Sequence, residues 1–168
     1  MLILVTYASK RGGTKGLADM VGNGLRAEGF TVEVAPAGTL WRVDQYDAVV
    51  VGGALYAGRW HKDARRFVKQ HAHDLAERPT YLFSSGPLDD SASELEIAPV
   101  KGVNSLMHKI GARGHITFGG RLKPDAAGFP ASAMAKKHAG DWRDSVRVRA
   151  WTHQIAEELR STEARRAA

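Results

Sequence analysis

Two stretches of this chain carry residue types able to hold an anion and a flat ring. The first is Ser9-Lys10-Arg11-Gly12-Gly13-Thr14. Its hydroxyls, glycines and cations are the parts of a phosphate nest, in which backbone N–H groups and small donors converge where a helix begins. The partial positive charge of a helix N-terminus favours an anion there. The same residues also make an ordinary glycine turn in which Thr14 caps the helix, and both readings stand. The second stretch is Ala54-Leu55-Tyr56-Ala57-Gly58-Arg59-Trp60, joined later in the chain by Ser85-Gly86-Pro87-Leu88. Together they offer aromatic and aliphatic side chains to flank a planar ring, and glycine-opened backbone donors for its polar edge. Tyr56 and Trp60 are the candidate ring neighbours, whereas Trp41, Trp142 and Trp151 read as core or helix-packing residues.

Other chemistries are excluded by type or spacing. With no cysteine there are no disulfides, thiolate metal sites, iron–sulfur clusters or cysteine nucleophiles. The seven histidines include no H-E-x-x-H pattern, and His71 and His73, two residues apart on a helix, point to different faces. No metal site is expected, and no nucleophile–base–acid set stands out. His61, at a helix start beside the second stretch, reads as a helix-face residue, the alternative being a group that adjusts the protonation of the bound ring. The turn after the first strand lacks the G-x-G-x-x-G of a dinucleotide site and the Gly-Lys-Ser/Thr ending of a Walker loop. A receiver domain would need acidic residues after its first strand, where Tyr7-Ala8-Ser9 stands instead.

Charge is distributed unevenly. The net value is +6, from 24 basic and 18 acidic side chains, yet residues 1–108 hold 12 of each and 150–168 hold 3 of each. The excess lies in 109–149: Lys109, Arg113, Arg121, Lys123, Lys136, Lys137, Arg143, Arg147 and Arg149 against Asp125, Asp141 and Asp144. Such a patch favours anionic partners, or serves as a solvated face. It lacks the interleaved aromatics that stack bases, so nucleic acid is not an expected partner.

The elements that must position these residues alternate as strand and helix. Apolar runs or alternation predict strands over Leu2–Tyr7, Thr31–Ala35, 47–51 ending at Gly52-Gly53, Thr80–Ser84 and His115–Phe118. Helical spacing predicts helices over 15–28, 61–76, from Val100 to Ile110 closed by Gly111, and Trp142–Arg160. The expectation is one α/β domain over 1–160, a doubly wound parallel sheet with helices on both faces, and a frayed tail over 161–168. Gly119–Gly140 resists assignment, as functional or disordered loops do. No apolar run is long enough to span a bilayer, and with no cysteine and no leader pattern a cytoplasmic location is expected.

The Ser9–Thr14 turn resembles the FMN-phosphate loop of flavodoxins. Gly52-Gly53-Ala54-Leu55-Tyr56-Ala57-Gly58-Arg59-Trp60-His61, Phe83-Ser84-Ser85-Gly86 and the late Asp141-Trp142 resemble the branch of that family containing menaquinone-dependent protoporphyrinogen oxidase. The resemblance implies a flavodoxin-like five-stranded sheet of order 2-1-3-4-5 and FMN as cofactor, a related phosphorylated deazaflavin being the alternative. It implies FMN contacts from Ser9, Lys10, Arg11, Gly12, Gly13, Thr14, Ala54, Leu55, Tyr56, Ala57, Gly58, Trp60, Ser85, Gly86, Pro87 and Leu88. Asp89 and Asp90 beside the ring would disfavour its anionic reduced form. The implied activity is an FMN-dependent oxidoreductase linking a reduced, protoporphyrinogen-like or other organic substrate to a quinone or protein acceptor. The alternatives are an electron carrier with no small-molecule substrate, and a binding protein that uses the basic patch. Expected partners are an anionic electron-transfer protein or carboxylate-bearing substrate, a quinone, and a peripheral contact with the inner face of a membrane. Gly119–Gly140 has only Phe129 as an aromatic, a departure that weakens the case for a flat porphyrin substrate.

Overall fold

Residues 1–10, 12–127 and 131–168 are described by a computed structural model. Five strands, β1 (Leu2–Ala8), β2 (Thr31–Pro36), β3 (Ala48–Tyr56), β4 (Thr80–Ser85) and β5 (Gly114–Phe118), pair in parallel in the order β2-β1-β3-β4-β5. This is the flavodoxin-like order, with β1 and β3 adjacent as expected. The helices are α1 (Gly13–Ala27), α2 (Lys62–Gln70), α3 (Ala72–Ala76), α4 (Ser91–Glu94), α5 (Lys101–Ile110), α6 (Ala131–His138) and α7 (Ser145–Ala167).

The period of two along each strand divides the core. Leu4, Val49, Val51 and Leu82 face α2, α3 and α5 through Phe67, Val68, Leu75, Val103 and Ile110. Ile3, Val5, Val50, Phe83 and Phe118 face α1 and α7 through Leu17, Val21, Leu25, Trp151 and Ile155. Both faces of the central strands are covered, which is why their sequences are apolar throughout rather than alternating. On the α7 side Phe83, Phe118 and Trp151 meet edge to face, with ring centroids 5.7–6.2 Å apart.

Several boundaries differ from the sequence reading. β3 does not stop at Val51; it continues through Gly52-Gly53 to Tyr56 and folds back, pairing Leu55 with Trp60 and Tyr56 with Arg59. The two turn residues, Ala57 and Gly58, both have positive φ (47° and 71°), the backbone a two-residue hairpin needs to match strand twist. The helix expected over 61–76 is broken at His71 into α2 and α3. α7 begins later than Trp142 because the Asp144 carboxylate accepts from the N–H groups of Val146 (2.8 Å) and Arg147 (3.2 Å). Helical geometry continues to Ala167, through the segment expected to fray. Within 119–141, Arg121–Leu122 pairs antiparallel with Gly140–Asp141, and Leu122, Ala131 and Ala135 form a small apolar cluster with Leu88 and Ala126.

One partly buried group makes stability depend on pH. The His115 Nε2 lies 2.9 Å from Ser84 Oγ, and burial pushes the imidazole from its ordinary 6.5 down to about 4. The unfolded chain accepts a proton as pH falls through 6.5, whereas the folded chain refuses it until near 4, so this contribution is complete above 6.5 and lost on acidification. Denaturant unfolding followed from about pH 7 to about pH 5 is expected to show a falling midpoint, with a shallower fall in His115→Gln. Equal slopes for the two proteins would refute this assignment.

Candidate functional site

The carboxyl ends of β1, β3 and β4 and the chain after β5 converge on a cleft of about 240 Å³. In parallel sheets this end gathers ligands, because helices start there and loops leave on opposite sides. Backbone hydrogen bonds tie the loops into one wall: Gly86 N–H donates to Phe118 O (3.1 Å), Gly120 N–H to Pro87 O (2.8 Å) and Trp142 N–H to Gly120 O (3.0 Å).

Of the residues expected from sequence, Ser9, Gly13, Thr14, Ala54, Leu55, Tyr56, Ser85, Gly86 and Leu88 line the cleft together. Lys10 and Gly12 lie in the same turn, and Pro87 between two lining residues, without lining it themselves. Ala57 and Gly58 form the hairpin tip, away from the cleft wall. Arg11 lies outside the described residues, as does Phe129. Arg121 of the basic stretch lines the cleft as well, together with Gly120, Ala131 and Met134, which were not anticipated as contacts. Arg121 belongs to the basic stretch, but nothing in the spacing of Ala131 and Met134 distinguished a cleft wall from a surface helix.

Trp60 must be withdrawn as a ring neighbour. It is 2% exposed, packed with Phe67 and Val51 in the core beneath α2, and its indole lies where a side chain on Gly53 would stand. Trp41 is corrected in the opposite sense: expected inside, it is 89% exposed. Trp151 is core, and Trp142 packs over Gly140 and Gly119. His61 caps α2, its Nδ1 accepting from Asp63 N–H at 3.2 Å, and burial holds its imidazole below the ordinary value. Asp89 does not face the ring slot. Its carboxylate accepts from the N–H (3.0 Å) and hydroxyl of Ser91 at the start of α4, which holds it below the ordinary range, and neither Asp89 nor Asp90 lines the cleft.

The electrostatics suit an anion. α1 starts on Gly12 in the left-handed region (φ 77°), with no side chain capping it and no acidic residue in its first turn. Thr14 lies inside the helix, so the capping alternative for it is excluded. Ser9 Oγ accepts from Gly12 N–H at 3.0 Å, which fixes the turn and leaves its own O–H to donate. Among the described residues no carboxylate lines the cleft. Arg121 at its rim lies 3.8 Å from Asp141, which is held more closely by Arg143 at 2.6 Å. That guanidinium keeps the Asp141 carboxyl well below the usual carboxylate range.

These features fit FMN at both ends. The unsatisfied N–H groups of α1 with the Ser9 and Thr14 hydroxyls would hold its phosphate. Tyr56 (38% exposed), Leu55, Leu88 and Met134 (42% exposed) would flank its ring, with Ser85 and Gly86 offering backbone at the polar edge. The Lys10 ammonium stands 5.8 Å over the Tyr56 ring, joining the phosphate turn to the ring slot.

Comparison with known proteins agrees. The profile of the Flavodoxin domain family matches residues 4–137. Protoporphyrinogen IX dehydrogenase (quinone) of Escherichia coli K12 is 28% identical over 89 residues, which are 50% of this chain and 48% of that protein. The match thus spans about half the length of the curated relatives. Among solved structures, a flavodoxin of Streptococcus pneumoniae TIGR4 superposes with a TM-score of 0.60 at 20% identity, covering 96% of this chain and 99% of the other. Oxidised flavodoxin 2 of Bacillus cereus gives 0.57 at 22% identity, covering 94% and 99%.

Loss of the two hydroxyls tests the phosphate assignment. Ser9→Ala with Thr14→Ala is expected to weaken FMN binding by about 2–3 kcal/mol, from charge-assisted hydrogen bonds of about 1.5 kcal/mol each. The unmodified protein should bind riboflavin, which lacks the phosphate, far more weakly than FMN. Equal affinities for the two flavins, measured by fluorescence quenching, would reduce the turn to a helix start.

Proposed function

The chain belongs to the Flavodoxin domain family, and from that premise we propose that it is an FMN-dependent oxidoreductase moving electrons between a reduced organic substrate and a quinone or protein acceptor. The observation that carries the reading is the uncapped start of α1 opening into a carboxylate-free cleft with apolar walls. FMN is the cofactor of this family. Bound in the cleft it supplies one- and two-electron transfer, and the protein holds, orients and tunes it. Ser9, Thr14 and the α1 backbone bind the phosphate; Tyr56, Leu55, Leu88 and Met134 exclude water from the ring faces. The similarity to a quinone-linked dehydrogenase supports a small-molecule substrate and a quinone acceptor. A second reading, an electron carrier without a small-molecule substrate, is favoured by the lining itself. Among the described residues the wall carries no carboxylate or imidazole that could take a proton from a substrate. Releasing the bound chromophore and weighing it tests the cofactor. Bleaching of the loaded protein by a candidate reductant in isolation then separates the two readings.

The basic rim supports an anionic partner, whether an acidic redox protein, a carboxylate-bearing substrate or an anionic membrane surface. Lys136 and Lys137 are exposed in the last turn of α6, beside Met134 of the cleft wall, and Lys123 is exposed where the chain leaves Arg121. Their attraction acts on encounter rate and is screened over about 10 Å at 0.1 M salt. Reversing Lys136 and Lys137 to Glu is expected to slow reoxidation by an anionic acceptor such as anthraquinone disulfonate by about tenfold at low salt. Reoxidation by neutral menadione and FMN affinity should stay unchanged. A rate with the anionic acceptor that ignores both salt and reversal, in stopped-flow mixing, would make the rim a solvated surface.

A further inference from the structure

A second cavity opens beside the phosphate turn. Ser9 lines the cleft, and the next residue, Lys10, lines this open pocket of about 510 Å³ with Lys123, Asp125, Ala126 and Ala127. On the other wall Arg121 lines the cleft, and Lys123, two residues on, lines the pocket. Two chain segments therefore leave the cleft and continue as the walls of the same neighbouring space. Lys10 and Lys123 are exposed, and among the described residues neither they nor Asp125 stand in an ion pair. Lys10 is positioned instead over the Tyr56 ring.

Two ammonium groups brought in by different segments recognise an anion, and a carboxylate on the wall of the same pocket accepts hydrogen bonds from hydroxyls. A sugar–phosphate arm carries both kinds of group. We propose that this pocket is a second anion subsite, taking a phosphate or carboxylate that lies beyond the phosphate end of the ligand in the cleft. The inference rests on FMN occupying the cleft. The anion has two sources: an extension of the flavin nucleotide, for which FAD is the probe, or an anionic substrate or co-ligand, for which pyrophosphate and citrate are the probes. Lys123 is the discriminating residue, because it lines the pocket and not the cleft.

The full chain, freed of flavin, is titrated with FMN and with FAD, following flavin fluorescence. If the cofactor supplies the anion, FAD binds within about tenfold of FMN or more tightly, Lys123→Glu weakens FAD by about tenfold or more, and FMN affinity moves by less than about twofold. Lys123→Gln, which removes charge without reversing it, gives a smaller loss in the same direction. If a co-ligand supplies it, FAD binds poorly, but pyrophosphate or citrate added to the FMN-loaded protein gives a saturable change in flavin absorbance that Lys123→Glu abolishes. FMN binding with FAD weaker by more than about a hundredfold, and no Lys123-dependent response to either anion, overturns the subsite and leaves the FMN reading intact. Failure to bind either flavin overturns both.

Discussion

The start of α1 is the constraint on which the rest depends. A helix leaves its first N–H groups without intrahelical partners, and most helices answer this with a side-chain cap. Here the residue in the capping position is Gly12, which has no side chain to offer, and the nearest hydroxyl, Ser9, spends its acceptor on Gly12 itself. Gly12 also has a positive φ, so a β-carbon there would be strained, although nothing within 4 Å would obstruct it. The turn is thus shaped to keep donors free at the mouth of a cleft, and it stays in place because β1, buried on both faces, fixes where the chain emerges. The absence of acidic residues from the first turn and from the cleft lining completes that arrangement.

The basic stretch divides into two kinds of charge. Arg143, mostly buried, is committed to Asp141, and Arg121 leans on the same carboxylate across the ribbon of Arg121–Leu122 and Gly140–Asp141. These charges bridge the ribbon, while the apolar cluster of Leu122, Ala131 and Ala135 seats α6 beside the cleft. Lys123, Lys136 and Lys137 are exposed and in no ion pair among the described residues. Five of the nine cations of 109–149 therefore lie around the cleft end, as a structural pair and an exposed set of three, while Lys109 and Arg113 stand before β5 at the opposite end of the sheet.

The legible part of this protein was the part governed by local periodicity. The five strands follow from apolar runs and the turns that end them, and a parallel sheet delivers all its carboxyl ends, with Ser9–Thr14, Ala54–Tyr56 and Ser85–Leu88, to one side; the strand order came from the family resemblance. The unread part depends on what lies across the sheet. Trp41 and Trp60 are the same residue type beside short turns, but one follows the edge strand β2 into solvent and the other is folded under β3 by a hairpin. Whether Gly52-Gly53 ends a strand or lies inside one is decided by the Phe83 and Trp60 rings, which occupy the space a side chain would take. Thr14 is a good capping residue by type; the fold moves the start of the helix two residues earlier and turns it into a wall.

That hairpin explains why Tyr56 and not Trp60 reaches the cleft. In the two-residue ladder Leu55 faces Trp60 and Tyr56 faces Arg59, and the pleat sends the two pairs to opposite sides. Trp60 is the larger apolar group, and beneath it β3 presents Gly53, the position where an indole can lie flat against backbone. Burying Trp60 there with Phe67 sets Leu55 partly against the same core while it still edges the cleft, and leaves Tyr56 and Arg59 on the other side of the strand. The turn that permits this reversal forces a non-glycine residue, Ala57, to positive φ, at a cost of about 1–2 kcal/mol. Gly53 offers a space, Trp60 fills it, and the ring left outward is the one over which Lys10 stands. The aromatic wall of the cleft is therefore chosen by core packing on the far side of the same strand.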